Sequence, residues 1–207
     1  MIPTGSEDLD KFLNGYEDRG VTAMYGEAGS GKTTLCLLAT ISQALQKKKV
    51  LFLDSESNFS TERFEQLLNK KDKDCIKNIL VLKIKNFNLQ HTQIKNLESV
   101  KGVSLIIVDS ITHYYRRLYR REPEIAKAML GKQLSILKKI SENNIPILIT
   151  SQVYSNMKDD VLPLGKDILE RFSKTIIKLE KTPRKVVVKK PKTIECNFKI
   201  TNEGIKI

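Results

Sequence analysis

The stretch GEAGSGKTT, residues 26–34, combines three glycines with a lysine and two threonines. Glycines let the backbone turn tightly, so that successive N–H groups can point at one anion. The spacing G-x-x-x-x-G-K-[ST] is typical of a loop that holds nucleotide phosphates at the start of a helix. We therefore expect phosphate binding by Gly26, Glu27, Ala28, Gly29, Ser30, Gly31, Lys32, Thr33 and Thr34.

Such a loop needs a metal ion and a second carboxylate. Lys32 would reach the β- and γ-phosphates, and the hydroxyl of Thr33 would bind Mg²⁺. The carboxylate that helps to hold the metal normally ends a buried strand beside the loop. The apolar run LIIVD, residues 105–109, ends in Asp109. The sequence thus predicts an Mg²⁺ site at Thr33 and Asp109.

Hydrolysis would also need a group that positions water. Asp54 and Glu56 follow the apolar run VLFLD and lie two residues apart, so both can face the same side. Glu56 lies further out, where a substrate water would sit, and Ser60 is available to cap the next helix. Gln152 follows the run IPILITS, and its amide could hydrogen-bond a γ-phosphate.

A cationic, tyrosine-rich segment follows Asp109 directly. Arginines could contact nucleic-acid phosphates there and tyrosine rings could stack on bases, which tolerates any sequence. The alternative is a solvated helix start whose tyrosines pack inward, with Tyr114 or Tyr115 in the core. The residues that we expect to bind DNA, single-stranded DNA above all, are Arg116, Arg117, Tyr119, Arg120 and Arg121.

The positive charge is concentrated in the second half of the chain. Residues 1–100 hold 14 Lys/Arg and 13 Asp/Glu, whereas residues 101–207 hold 22 and 11, a net charge of +11. A polyanion should therefore meet the second half. Another basic stretch, Lys181 to Lys192, has six cations and no acid. It could extend a DNA path, or its lysines could keep an exposed edge strand from pairing.

Apolar runs alternate with amphipathic segments along most of the chain. This pattern is typical of an α/β fold in which a mostly parallel central sheet has helices on both faces. After residue 172 short strands follow without helices, which predicts antiparallel C-terminal strands. We expect one domain over residues 1–207. The predicted strands are 21–25, 50–54, 79–84, 104–110 and 145–151, and the predicted helices are 32–46, 61–70, 89–99 and 124–142.

Several features point to a cytoplasmic protein. Cys36, Cys75 and Cys196 show no metal or disulfide spacing, which fits a reducing compartment. No apolar run approaches the length of a membrane span, and the polar, acidic start does not resemble a signal peptide. His91 and His113 are isolated, and we interpret both as structural or solvent-facing.

The order of these motifs resembles the RecA/RadA recombinase family, a family of P-loop NTPases, over nearly the whole chain. The segment PTGSEDLDKFLNG resembles the lead-in of its archaeal and eukaryotic branch, and FLDSESNFSTERF its strand with the catalytic glutamate. DSITHYYRR resembles the magnesium aspartate that leads into the first DNA-binding loop. ITSQV resembles the Asn-Gln-Val sensor, with Ser151 where asparagine is usual.

The resemblance implies a RecA-like core that binds ATP and Mg²⁺. By the same resemblance, Glu56 activates the water, Gln152 senses the γ-phosphate and Arg63 packs on the adenine. It also implies DNA, a full-length RadA-type recombinase and further copies of the same chain as possible partners. The expected role is to assist homologous recombination and DNA repair.

The chain also departs from the family pattern. We expect no N-terminal helix-hairpin-helix domain, no Phe-x-x-Ala motif occurs, and the second DNA-binding loop is a short YSNMKDDVLP with Asp159 and Asp160. In the family, the segment near this proline covers the ATP bound by a neighbouring subunit. Here a lysine replaces the acidic residue that is usual before Pro191, so the resemblance gives this role only weak support. These departures favour a core-only branch with weak ATP hydrolysis and leave the oligomeric state open. Alternatives are a DNA-binding mediator that uses ATP only as a conformational ligand, and a KaiC-like signalling ATPase.

Overall fold

The computed structural model describes residues 1–69, 72–155 and 161–207. Their α-helices are α1 (Glu7–Leu13), α2 (Lys32–Leu45), α3 (Thr61–Leu68), α4 (Phe87–Asn96), α5 (His113–Tyr119), α6 (Pro123–Ser141) and α7 (Lys166–Phe172). The first strands are β1 (Val21–Gly26), β2 (Lys49–Asp54), β3 (Ile79–Lys83), β4 (Val103–Asp109), β5 (Ile147–Ser151) and β6 (Val153–Ser155). The later strands are β7 (Val161–Pro163), β8 (Thr175–Lys181), β9 (Arg184–Lys190), β10 (Ile194–Asn197), β11 (Lys199–Thr201) and β12 (Gly204–Lys206).

A central sheet of eight strands organises the chain, in the order β10-β9-β8-β1-β5-β4-β2-β3. All neighbours from β8 to β3 pair in parallel. Strands β9 and β10 then extend the sheet in antiparallel fashion. The fold class predicted from the sequence is therefore confirmed, including the antiparallel C-terminal strands.

The strands of the sheet centre are apolar on both sides because helices cover both faces. In β4, Leu105 and Ile107 pack into one core, while Ile106 and Val108 pack into the other. The first core also contains side chains of α2, α3 and the β11–β12 hairpin, and the second contains side chains of α4, α5, α6 and α7. A strand buried in this way reads as a continuous apolar run, which is why the sequence pattern was informative.

Three findings concern the basic segments and the alternatives that the sequence left open for them. We expected the chain after Asp109 to enter a DNA-binding loop, but His113–Tyr119 form helix α5. For the backbone of this segment, the alternative of a helix is therefore correct. Tyr115 is 2% exposed and belongs to the core. Strand β9 is not an edge strand, because β10 pairs with its outer side. Protection of an exposed edge therefore does not explain the lysines of β9.

The segment after Gln152 begins and ends as a short antiparallel hairpin, in which β6 pairs with β7. The residues between them, including Asp159 and Asp160, lie outside the described residues. The same holds for the predicted last residue of the helix over 61–70. Asn69, in the left-handed conformation, ends α3 after Leu68. Among the described helices, none combines the length and the apolar character that a bilayer crossing requires.

Candidate functional site

The predicted site residues meet at one edge of the sheet. Parallel strands all end at the same edge, and the register places Asp54 beside Asp109 and Tyr25 beside Ser151. The glycine-rich loop after β1, the carboxylates after β2 and β4 and the amide after β5 therefore converge. This edge, at the carboxyl ends of parallel strands, is where ligands bind in open α/β sheets.

Lys32 is held against the glycine-rich loop by two backbone carbonyl groups. Its Nζ atom donates to the carbonyl oxygens of Gly26, at 2.8 Å, and Glu27, at 2.9 Å. Burial lowers the pKa of Lys32, and the charges of Asp109 and Glu56 oppose this effect. No salt bridge to Lys32 occurs within the described part of the chain. A half-buried ammonium with no carboxylate close enough for a salt bridge fits a loop that receives phosphate.

Two glycines of the loop are required by close contacts. A Cβ atom at Gly26 would lie 2.2 Å from the carbonyl oxygen of Leu179 in β8. Gly31 has φ of +108°, and a Cβ atom there would lie 3.0 Å from Cδ1 of Ile200 in β11. Larger residues would therefore displace the loop from the neighbouring strands and disturb the backbone N–H groups that a phosphate needs.

Thr33 and Asp109 meet as the magnesium prediction requires. The Thr33 hydroxyl donates a 2.6 Å hydrogen bond to Oδ2 of Asp109. The hydroxyl of Thr150 donates to the other carboxylate oxygen. Burial raises the pKa of Asp109, while both hydroxyls act in the opposite direction. A hydroxyl and a buried carboxylate form the oxygen donor set that Mg²⁺ binds together with phosphates, so the residues fit the metal.

Glu56, which we expected to position the water, and Asp54, two residues before it, have different surroundings. Both carboxylate oxygens of buried Asp54 accept backbone N–H groups, from Asn58 at 3.0 Å and Phe59 at 3.2 Å. Asp54 thus shapes the turn after β2. Glu56 instead faces the sheet edge, where Oε1 accepts a 3.0 Å hydrogen bond from the Gln152 amide. Of the two carboxylates, Glu56 is the one placed near the phosphate loop and the sensor position.

His113 is a member of this group that sequence reasoning missed. Its Nδ1 atom lies 3.4 Å from Nε2 of Gln152 and 3.9 Å from Oε1 of Glu56. Our interpretation of His113 as a structural or solvent-facing residue gave it no such contact. The sequence carries no signal for it, because Glu56 and Gln152 come from strands that only the sheet order brings to the start of α5.

The start of α5 is also joined to the site through buried polar groups. Thr112 Oγ1 accepts the backbone N–H of Gln152 at 2.8 Å. The Gln90 amide donates to the carbonyl oxygen of Ile111 at 2.9 Å, and its oxygen accepts from the Ser55 hydroxyl at 3.2 Å. The segments that hold Glu56 and Gln152 are therefore linked to α5 by contacts that do not pass through solvent.

The basic helix α5 has a buried side and an exposed side. Arg116 and Arg117, and Arg120 and Arg121 just after the helix, are all exposed. Tyr115 is buried, and the Tyr114 hydroxyl donates to the carbonyl oxygen of Ile84 at 2.9 Å.

Of the three tyrosines in this segment, Tyr119 is the one with a largely accessible ring. Its side chain is 40% exposed. Its ring centroid lies 5.3 Å from that of Tyr115, which fixes the ring against the helix. The candidate DNA-binding residues are thus all exposed to solvent.

Arg63, the residue that we expected to pack on the adenine, lies in the first turn of α3. Ser60 caps α3, as expected, by accepting the backbone N–H of Arg63 at 3.1 Å. The Arg63 guanidinium donates to the carbonyl oxygen of Thr201 at 2.8 Å and to the Gln66 side chain at 3.0 Å. It therefore contacts the β11–β12 hairpin, whose Ile200 covers Gly31. Packing of Arg63 on an adenine stays a prediction.

The loop, the sheet order and the oxygen ligands together define a RecA-like P-loop protein. A family model described as Rad51 matches residues 1–207, and the chain belongs to this family. The resemblance read from the motifs is thereby confirmed.

Within this family, two relatives and one solved structure that are similar to the chain carry the same name. The chain is 36% identical to "DNA repair and recombination protein RadB" of Methanococcoides burtonii, over 100% of this chain and 97% of that protein. It is 35% identical to the protein of the same name from Methanococcus maripaludis, over 96% and 97%. A solved structure titled "Crystal structure of the RadB recombinase" superposes with a TM-score of 0.81 at 31% identity, covering 99% of this chain and 98% of that one.

Proposed function

We propose that this protein is an ATP-binding, DNA-binding recombinase paralogue that assists homologous recombination and DNA repair. The observation that carries the proposal is the joint position of two groups at one sheet edge. Thr33 and Asp109 lie within 2.6 Å of each other, and Glu56 and Gln152 within 3.0 Å. Membership of the Rad51 family and the names of the relatives support the recombination role.

In the proposed reaction, Lys32 and the loop N–H groups hold the phosphates of ATP. Bound Mg²⁺ would neutralise charge on the β- and γ-phosphates, with Thr33 and Asp109 as its protein ligands. Glu56 accepts a proton from a water molecule, whose oxygen attacks the γ-phosphorus while the bond to ADP breaks. Gln152 donates to the γ-phosphate in place of Glu56, so that loss of this phosphate returns Gln152 to its contact with the carboxylate.

The proposed DNA contacts lie on the exposed side of α5. Arginines would neutralise backbone phosphates and Tyr119 would stack on a base, and neither interaction reads sequence. The short path from Gln152 through His113 and Thr112 to α5 would allow the nucleotide to change the position of the arginines. We further propose that single-stranded DNA is preferred and that a full-length RadA-type recombinase is the protein partner.

A second candidate is a mediator that binds ATP without appreciable turnover. Both oxygens of Glu56 have partners, since Oε2 accepts from the Asn58 amide at 3.1 Å while Oε1 accepts from Gln152. These two amides occupy hydrogen-bonding positions on the carboxylate that an attacking water could otherwise use, which favours slow turnover. A signalling ATPase of the KaiC kind is less well supported, because the family and the basic helix both favour a DNA-binding role.

One experiment separates these candidates. Phosphate release would be measured with Mg-ATP, with and without single-stranded DNA, for the wild type and for Lys32→Ala. A slow turnover that DNA alters and that Lys32→Ala abolishes supports the ATPase. Binding of ATP with no release above the Lys32→Ala background supports the mediator. Failure of the wild type to bind ATP would contradict both.

A further inference from the structure

Two buried glutamines meet between helices α4 and α6. Gln90 belongs to α4 and Gln133 to α6, and both side chains are 0% exposed. Gln90 Nε2 donates a 2.7 Å hydrogen bond to Gln133 Oε1. The apolar residues buried on the same two helices, among them Ile94, Leu130 and Leu134, belong to the second core. An amide pair at this depth requires an explanation, because apolar side chains are the usual content of a core.

Both polar atoms of the Gln90 amide are engaged. An amide NH₂ group has two donors. Gln90 Nε2 uses them for Gln133 and for the carbonyl oxygen of Ile111, which lies at 2.9 Å. Gln90 Oε1 accepts from the Ser55 hydroxyl at 3.2 Å. Because the two atoms belong to one planar group, Ser55 and Ile111 cannot move apart without a change at Gln90.

The two segments that Gln90 joins belong to the nucleotide region and to the start of α5. Ser55 directly precedes Glu56, and its backbone N–H donates to the carbonyl oxygen of Asp109 at 2.8 Å. Ile111 lies two residues after Asp109, between the proposed metal ligand and α5. Gln90 therefore holds the segment of the proposed base against the segment that leads to the proposed DNA-binding helix.

The stability of the fold does not account for a glutamine at position 133. Gln133 Nε2 is buried, and none of the described residues accepts a hydrogen bond from it. A buried donor without a partner destabilises a fold, whereas apolar groups of the same shape can be neutral or stabilising. Methionine is unbranched like glutamine and fills core space without a strong hydrogen-bonding group. The amide of Gln133 therefore points to a role in holding Gln90.

We propose that Gln90 and Gln133 are positioning residues that transmit the state of the nucleotide from the Glu56 segment to α5. When Glu56 changes partner, Ser55 moves with it, and the Gln90 amide passes the displacement to Ile111. Gln133 holds this amide in the orientation that makes both contacts at once. The inference rests on the proposed function and deepens it, because it adds a buried route between the nucleotide and the DNA-binding helix.

The test measures the factor by which the affinity for single-stranded DNA differs between Mg-ATPγS and Mg-ADP, by fluorescence anisotropy. Gln133→Met removes the contact with Gln90 and keeps an unbranched side chain. Gln90→Met removes all three contacts of the amide. Gln43→Met is the matched control, because Gln43 in α2 is 1% exposed and its amide has no partner among the described residues. This control removes a buried amide outside the pair.

We expect the wild-type factor to be at least about fivefold. In Gln133→Met and Gln90→Met it should fall toward one, by about two- to tenfold, the effect of one hydrogen bond. The affinity for ATPγS itself should stay within about twofold, and Gln43→Met should keep the wild-type factor. The Tm of Gln133→Met without nucleotide should lie within about 3 °C of the wild type. Unfolding would then not explain its loss of coupling.

The double variant tests whether the two glutamines act together. Because both act through one hydrogen bond, Gln90→Met with Gln133→Met should lose no more coupling than Gln90→Met alone. Additive losses would contradict a shared route. If Gln90→Met does not fold, Gln133→Met decides the question by itself.

Two results would overturn the inference and leave the proposed function intact. One is a wild-type factor in Gln133→Met, and the other is an equal loss in Gln43→Met. Either would show that the pair only fills the core. A wild type that binds both nucleotides and DNA, but with the same DNA affinity in both states, would contradict the inference and the proposed coupling together.

Discussion

Two carboxylates that lie two residues apart in the sequence, Asp54 and Glu56, differ in what surrounds them. The backbone N–H groups of the turn after β2 occupy both oxygens of Asp54. The amides of Gln152 and Asn58, which are side chains and can rotate away, occupy those of Glu56. We therefore propose that Glu56 has the role in proton transfer, because its partners can be exchanged at little cost to the fold.

Replacement of Glu56 by glutamine tests this role. Glu56→Gln should bind Mg-ATP within about threefold of the wild type and lose at least about 90% of any ATP turnover, since proton acceptance typically contributes 10²–10⁴-fold. Phosphate release and nucleotide affinity are the two measurements. Glu62→Gln, an exposed acid on α3, is the control for the loss of one negative charge. Unchanged turnover in Glu56→Gln would exclude Glu56 as the base.

Asp109 should matter for the metal more than for the fold. Burial raises its pKa, so the surrounding protein disfavours the charged carboxylate and a neutral amide should be tolerated there. Asp109→Asn should therefore fold, and should lose the stabilisation that Mg-nucleotide gives the wild type. That stabilisation is about 2.7 kcal/mol at 100 times the dissociation constant, or roughly 5–10 °C in Tm for a chain of this size.

Thermal denaturation with Mg²⁺ or with a chelator measures the effect. With the chelator, the wild type should fall to the level of Asp109→Asn. A variant that still gains the full Mg²⁺-dependent shift would show that the metal does not depend on this carboxylate.

At the scale of an element, helix α5 has one side that packs into the core and one side that carries exposed arginines. Tyr115 anchors the helix in the core, and the arginines remain in solvent. His113 and Thr112, at its start, contact the residues after β2 and β5. We expect a helix held in this way to change its angle if Gln152 changes partner, with its buried side limiting the movement.

The exposed side of α5 predicts a particular loss of DNA binding. Changing Arg116, Arg117, Arg120 and Arg121 to alanine should weaken single-stranded DNA binding for all sequences and leave ATP binding intact. Each phosphate contact contributes about −0.7 to the slope of log affinity against log salt, so three or four lost contacts should flatten the slope by roughly 2–3 units. Fluorescence anisotropy at several salt concentrations gives both quantities.

Two controls make this result specific. Changing Lys47, Lys48, Lys49 and Lys101 to alanine removes the same charge at the opposite edge of the sheet, where β2 and β4 begin, and should have little effect. Tyr119→Ala should cost ~1–3 kcal/mol if a base stacks on the ring, with the salt slope unchanged. Wild-type affinity and slope in the four-arginine variant would contradict the assignment of DNA binding to α5.

His113 is predicted to be a positioning residue between the nucleotide and α5. His113→Ala should leave ATP affinity within about twofold, because His113 does not contact the glycine-rich loop. The effect of DNA on turnover should fall roughly two- to tenfold, as expected for loss of one or two hydrogen bonds. His113→Asn, which retains a polar atom near Gln152, should recover part of it. Equal turnover ratios in all three proteins would remove His113 from the coupling path.

At the scale of the whole molecule, the local motifs were predictable and the long-range contacts were not. The glycine-rich loop, Thr33 and Asp109 lie in short segments whose apolar strands and glycines identify them. The carboxyl ends of parallel strands must then meet at one edge. The strand order, however, decides that β8 lies beside β1 and that Arg184 reaches Gly29. No local pattern encodes this order.

The helical state of α5 illustrates the same limit. Its residues begin with a polar, aromatic run and have little apolar periodicity, so a loop and a helix were comparable readings. Tertiary packing decides between them, because Tyr115 enters the core beside α6 and α7. In the same way, His113 is isolated along the chain. Its contacts with Gln152 and Glu56 exist because the fold brings the ends of β2 and β5 to the start of α5.

The central claim is that nucleotide at the sheet edge controls the affinity of α5 for DNA. The direct test is the salt-dependent affinity for single-stranded DNA, measured by anisotropy without nucleotide, with Mg-ATPγS and with Mg-ADP. We predict that Mg-ATPγS changes the affinity at least about fivefold relative to Mg-ADP, the lower limit of typical coupling between two sites, and that Lys32→Ala abolishes this difference. Identical affinities and salt slopes in all three states, in a protein shown to bind both nucleotides, would contradict the account.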